Sequence, residues 1–143
     1  MSSPENAADR EFDIVLYGAT GFVGKLTAQY LATAGDGARI ALAGRSTDRL
    51  LAVRDTLGPA AQSWPLIAAD ASQPSTLNAM AASTRVVIST VGPYMRYGVP
   101  LVAACAAAGT DYADLTGEPL FIRECIDLDS TDAGGAGPRM SRP

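Results

Sequence analysis

Residues 13–24 read Asp13-Ile-Val-Leu-Tyr-Gly-Ala-Thr-Gly-Phe-Val-Gly24. The apolar and aromatic run Ile14 to Tyr17 ends on Gly18, Gly21 and Gly24, and a helical apolar period follows at once. This is a strand, a glycine turn and a helix start. At such a junction the backbone N–H groups and the positive end of the helix dipole face the same spot, which suits a diphosphate. Gly18 is expected to make the tight turn. Gly21 lets the backbone approach the phosphates where a Cβ would intrude, and Gly24 lets the helix lie close on the strand. Ala19, Thr20, Phe22 and Val23 complete the candidate dinucleotide-binding loop. The spacing is G-x-x-G-x-x-G rather than G-x-G-x-x-G, and an ordinary βα turn without a ligand carries the same glycines. The flanking strand and helix favour the binding reading.

Phe22, Leu26 and Tyr30 recur every four residues, with Val23 and Leu31 beside them, so a helix with one apolar stripe is expected. Gly35 stops it. Further along, strands are expected at 39–43, 64–69, 85–91 and 110–115. Helices are expected at 47–57, capped by Ser46 or Thr47, then at 74–82, 99–108 and 119–128, with Pro100 in the first turn of its helix. Regular alternation of short apolar strands with helices predicts an α/β fold, a Rossmann-type doubly wound parallel sheet in the order 3-2-1-4-5. The ligand crevice then lies at the carboxyl ends of the first and fourth strands.

The domain is placed at 12–128, after a disordered tail at 1–11. Residues 129–143 have no apolar period and a heavy glycine and proline load, so a disordered C-terminal tail is expected. No sixth strand is foreseen. That leaves the fifth strand as an open edge through which the chain can self-associate.

Hydrophobic residues make up 48% of the 143 and charged residues 18%, enough to build a core. The net charge of −4 favours neither nucleic acid nor an anionic membrane surface. No apolar run reaches the length of a spanning helix, and residues 1–10 lack a signal-peptide core, so a cytoplasmic protein is expected. The chain has no histidine. That excludes a Ser-His-Asp or Cys-His apparatus and argues against a zinc site, so no metal is assigned. Cys105 and Cys125 form no C-x-x-C pair and read as reduced thiols, Cys105 as a buried small side chain.

The second strand ends Gly44-Arg45-Ser46, without the acid that binds a ribose 2′-hydroxyl in NAD sites. Arg45 suits a 2′-phosphate through charge-assisted contacts, and Ser46 can add a hydroxyl donor. NADP(H) is therefore the expected cofactor, with a solvated surface arginine as the bland alternative. Asp70 either borders the adenine or caps the following turn. Val91, Gly92 and Pro93 close the fourth strand beside the expected nicotinamide ribose. Arg96 ranks low as a phosphate contact. Tyr94, Tyr97 and Tyr112 are a substrate-side wall or simply core.

Short-chain dehydrogenases use a tyrosine with a lysine four residues later. The lone lysine is Lys25 and position 21 is glycine, so that pair is absent from these residues. The ordered set Tyr17-Gly-Ala-Thr-Gly-Phe-Val-Gly24, Ala43-Gly-Arg45, Thr90-Val-Gly-Pro-Tyr94, Tyr97-Gly-Val-Pro100, Cys105 and Asp111-Tyr-Ala-Asp-Leu-Thr-Gly-Glu118 resembles the N-terminal domain of the saccharopine dehydrogenase-like family. It is most similar to the mycobacterial trans-acting enoyl reductase branch, over roughly residues 11–128. The resemblance implies an NADPH-dependent reductase working beside polyketide synthases, which reduces an enoyl double bond in assembly of phthiocerol and phenolphthiocerol lipids. Gly18, Gly21, Gly24 and Arg45 match the family's cofactor positions. Gly92, Pro93 and Tyr94 match the segment after the fourth strand, and Thr116, Gly117 and Glu118 the segment after the fifth. It assigns no catalytic acid here.

Family members continue into further strands and a substrate domain. A truncated or frameshifted product is therefore expected, the pattern being lost after Leu128. Three functional readings follow: the NADPH-holding domain of an enoyl reductase, a non-catalytic nucleotide-binding module, or an inactive remnant.

Overall fold

Side chains along the first strand alternate between two apolar clusters, Val15 and Tyr17 in one and Leu16 in the other. A strand buried on both faces needs a layer of helices on each side. The computed structural model describes residues 10–35, 37–91, 94–114, 126 and 140–141, with backbone alone at 94–97 and 140–141. In it the elements run β1 (Phe12–Tyr17), α1 (Phe22–Ala34), β2 (Ile40–Gly44), α2 (Thr47–Asp55), a 3-10 turn (Pro59–Ala61), β3 (Leu66–Ala68), α3 (Pro74–Ala82), β4 (Thr84–Ser89), α4 (Tyr94–Ala108), β5 (Asp111–Asp114) and β6 (Met140–Ser141). The sheet order is β3-β2-β1-β4-β5-β6, with every pairing parallel. Leu16 and Leu42 pack with Leu31, Leu50, Val53 and Trp64 on the α1 and α2 side. Val15, Val87 and Tyr112 pack with Leu77, Met80, Leu101 and Cys105 on the α3 and α4 side. The expected order 3-2-1-4-5 is present, with one strand added.

That addition corrects two expectations. Tyr112 pairs with Met140 and Ala113 with Ser141, so the outer edge of β5 is covered there and is not open. Two residues of the segment expected to be structureless form the covering strand, because a row of unpaired backbone groups accepts any chain that reaches it. The expected helix at 119–128 lies outside the described residues, except for Ile126.

The N-terminal boundary also moves. Arg10, expected in the tail, is buried. Its Nη1 donates to the Ala81 carbonyl at 3.0 Å, the Thr84 carbonyl at 2.8 Å and Thr110 Oγ1 at 2.7 Å, and its Nη2 donates to the Ala108 carbonyl. Ala81 and Ala108 lie in the last turns of α3 and α4, so one cation satisfies carbonyls at two helix C-termini.

The expected apolar stripe of α1 is divided between its two faces. Phe22 is 80% exposed, Tyr30 67% and Leu26 50%, whereas Gly24, Ala28 and Leu31 are buried. Phe22, Leu26 and Tyr30 lie about half a turn around the helix from Gly24 and Ala28. At Gly24 the helix lies too close to the preceding turn for any side chain. A Cβ on Gly24 would run into the Gly18 carbonyl and fall 2.9 Å from Ala19 Cα.

Helix α4 starts at Tyr94, five residues before the expected start at 99, so Pro100 lies inside the helix rather than in its first turn. Among the described residues, no helix is long and apolar enough to cross a membrane.

Candidate functional site

The carboxyl ends of β1, β2, β3 and β4 open onto a cleft of about 700 Å³. Gly18 leaves β1 with φ +92°, a conformation that suits glycine. A Cβ there would sit 2.7 Å from Val91 Cγ2 and 2.8 Å from Thr90 Oγ1. The turn is closed by the Gly21 N–H donating to the Gly18 carbonyl at 3.2 Å. From β4, Thr90 Oγ1 donates to the Gly18 carbonyl at 3.0 Å.

Gly21 is the N-cap of α1, in extended conformation and with no side-chain cap. Among the described residues beyond its chain neighbours, no atom lies closer than 3.7 Å to a Cβ built on it. Packing within the protein therefore does not demand glycine at 21, and the space before it opens on the cleft. The helical ladder begins with the Lys25 N–H donating to the Gly21 carbonyl at 2.9 Å. The N–H groups of residues 22–24 precede that ladder, and the first turn has no acidic side chain. This start of α1 fits a diphosphate on both counts, free donors and room for close approach.

The other expected site residues divide. Thr20, Arg45, Asp70 and Val91 line the cleft. Phe22 and Val23 present their side chains to solvent and offer the site only backbone. Ala19 is fully buried in the core between the sheet, α1 and α2. Gly24 serves helix packing. Ser46 caps α2, its Oγ accepting the Arg49 N–H at 3.3 Å, and does not line the cleft. Gly92 and Pro93 lie outside the described residues, as do Thr116, Gly117, Glu118, Cys125 and the side chains of Tyr94, Arg96 and Tyr97.

Asp70 ties the following turn, as one of its two readings has it. It lines the cleft, and its Oδ1 accepts the Ser72 N–H at 3.0 Å, tying the turn after β3. Those contacts with Ser72, and secondarily the charge of Arg45, hold its carboxyl below the ordinary carboxylate range. Tyr112 is core, its hydroxyl donating to Asp114 Oδ2 at 2.6 Å. Cys105 is buried, and desolvation pushes its thiol up to about 12, which makes it a packing residue and no nucleophile. Among the described residues no group of side chains can hold a metal ion.

Sequence reading reaches Tyr17, Gly44 and Thr90 only as motif members and Ala71 and Ser72 not at all, yet all five line the cleft. Tyr17 looks like the end of an apolar strand, and its ring is indeed buried. Burial and then the Asp70 charge push its hydroxyl above the ordinary range, opposed by the Ala71 backbone N–H and by Arg45. Strand parity with Val15 was the available signal. Nothing local marks Thr90, whose partners are more than 70 residues away.

The family model of the saccharopine dehydrogenase NADP binding domain matches residues 14–131. A Mycobacterium tuberculosis protein provisionally named a trans-acting enoyl reductase is 72% identical over 134 residues, 94% of this chain and 32% of that protein. The trans-acting enoyl reductase of Mycobacterium leprae is 68% identical over 131 residues, 92% of this chain and 31% of that protein. The chain thus spans about a third of the length of the curated relatives it matches. Among solved structures, apo saccharopine dehydrogenase (L-Glu forming) from Saccharomyces cerevisiae superposes with a TM-score of 0.72 at 21% identity, over 92% of this chain and 26% of that one. Triphenylmethane reductase from Citrobacter sp., complexed with NADP(H), gives 0.69 at 20% identity, over 91% and 49%. These two likenesses show the fold. On the family match and the sequence identities, the chain belongs to the saccharopine dehydrogenase NADP-binding domain family.

Proposed function

We propose that this chain is the cofactor-holding part of an NADPH-dependent enoyl reductase. The observation that carries the reading is the uncapped start of α1, where Gly21 leaves open space at a ring of backbone donors, in one cleft with Arg45. The N–H groups of residues 22–24 hold the diphosphate, with Thr20 beside them. Arg45 takes the 2′-phosphate, and Asp70 borders the adenine. Val91, followed in sequence by Gly92 and Pro93, flanks the nicotinamide ribose. The bound reduced nicotinamide supplies a hydride.

The names of the mycobacterial relatives support an enoyl acceptor. By the sequence resemblance, the reductase works beside a polyketide synthase in assembly of phthiocerol and phenolphthiocerol lipids, and a cytoplasmic setting is part of the proposal.

Calorimetric titration of NADPH and NADH into the purified chain tests the reading. Arg45→Asp is expected to weaken NADPH relative to NADH by about 1.5–3 kcal/mol, through removal of a charge-assisted phosphate hydrogen bond. Equal losses for both cofactors would remove Arg45 from the 2′-phosphate. Binding of neither cofactor to the unmodified chain would remove the dinucleotide reading itself. NADPH consumption with an enoyl thioester in the same samples reads whether these residues also hold the acceptor.

A further inference from the structure

Arg45 and Asp70 leave neighbouring parallel strands at the same end of the sheet. Gly44 is in register with Ala68, and the Ala69 N–H donates to the Gly44 carbonyl at 2.9 Å. Arg45 is one residue past that register point and Asp70 two. Adjacent strands lie about 4.8 Å apart, so the two side chains rise from one stretch of cleft wall. Both line the cleft. The turn that carries Asp70 is tied at several points. Besides the Ser72 N–H on its carboxylate, the Asp70 N–H donates to Thr76 Oγ1 at 2.9 Å. Arg45 is exposed, on a long flexible stem. Among the described lining residues it is the one cation and Asp70 the one anion.

We propose that Asp70 sets the cofactor preference of this site by sharing Arg45 with the 2′-phosphate. The tethered carboxylate draws the guanidinium toward β3, and an incoming 2′-phosphate must win it away. NADH has no such group and leaves the two side chains, which line one cleft without forming a direct ion pair, as they stand. Asp70 therefore narrows the margin between NADPH and NADH. The inference rests on the assignment of Arg45 to the 2′-phosphate.

Asp70→Asn keeps the acceptor for the Ser72 N–H and removes the charge. The adenine is common to both cofactors, so any change in how residue 70 meets it weakens both alike and cancels in the ratio of their affinities. At low salt, Asp70→Asn is expected to raise the NADPH-to-NADH affinity ratio roughly three- to tenfold, the size of one unit charge acting a few ångströms away in a partly solvated site. The rise should shrink at high salt. In an Arg45→Gln background the same substitution should leave the ratio unchanged, because the shared partner is gone. A flat ratio with Arg45 present, or an equal rise with and without it, overturns the proposal. Asp70→Ser, which also keeps a turn acceptor, reads the same ratio if the Asn variant does not fold. Arg45→Gln alone separates the two layers. If it lowers both affinities equally, the 2′-phosphate assignment fails. If it lowers the ratio while Asp70→Asn leaves it flat, only the role of Asp70 fails.

Discussion

Gly21 and Gly24 stand three residues apart and are glycine for different reasons. At 24 a side chain would strike the backbone of the preceding turn, whereas at 21 the nearest described atom, the Gly18 carbonyl oxygen, lies 3.7 Å away. Gly24→Ala is therefore expected to cost about 1–3 kcal/mol of folding stability, measured by urea denaturation. Gly21→Ala should stay within about 1 kcal/mol, since alanine is only a poorer N-cap, while weakening NADPH at least tenfold, roughly 1.4 kcal/mol. A Gly21→Ala chain that binds NADPH normally would show that the phosphates lie elsewhere. Both roles follow from the glycine spacing, because the strand, turn and helix that need them are contiguous. The placing of Thr90 was not legible, since its carbonyl partners belong to a strand met only after the chain has crossed the sheet.

Helix α1 shows how a helical period identifies an element without orienting it. Its periodicity is helical and its range agrees with the pattern, yet Phe22, Leu26 and Tyr30 face outward while Leu31 is buried. Hydrophobicity ranks Phe22, Leu26 and Tyr30 as core, but the face against the preceding turn is the one that carries Gly24. Phe22→Ser and Tyr30→Ser are accordingly expected to change stability by no more than about 0.5 kcal/mol. Leu31→Ala, on the buried face, should cost about 2–4 kcal/mol. Thermal or urea unfolding of the three variants checks the orientation, and a large loss for either serine would contradict it. The late expected start of α4 has a different source. Proline favours the first turn of a helix, but here the helix begins about one and a half turns before Pro100.

At the scale of the whole molecule, Arg10 ties the ends of α3 and α4 to the start of β4 and to Thr110 before β5. Arg10→Ala is expected to cost about 3 kcal/mol, because it strips several buried carbonyls of a charged donor at once. Equilibrium unfolding measures it, and a loss below about 1 kcal/mol would mean that water replaces the guanidinium.

At the amino ends of the strands, away from the cleft, Asp13 Oδ1 accepts Arg39 Nη2 at 3.0 Å, its Oδ2 accepts the Arg39 N–H at 2.9 Å, and Arg85 Nη1 lies 3.6 Å away. The Arg39 side-chain and backbone contacts, in that order, lower the Asp13 carboxyl from 3.8 to about 2, with the two arginine charges adding less. A folded value below the unfolded one stabilises the fold above about pH 4, and that contribution is lost as pH falls through about 2. Solvent screening at this exposed cluster keeps it small. Asp13→Asn should flatten this part of the acid limb of the stability curve between pH 4 and 2, in urea titrations at each pH.

The alternation of strands and helices and the glycine turn after β1 are written in local spacing, and the strand order follows from that alternation through the right-handed crossover rule. The alternation and the turn depend on neighbours within a few residues of one another, which is the range over which a linear pattern carries information. Which face of α1 is buried, that Arg10 is buried within the fold, that residues 140–141 cover β5, and that Arg45 and Asp70 share one wall are set by approach distances between segments far apart in the chain. Those distances exist only once the sheet has assembled, so no stretch of the chain could announce them on its own.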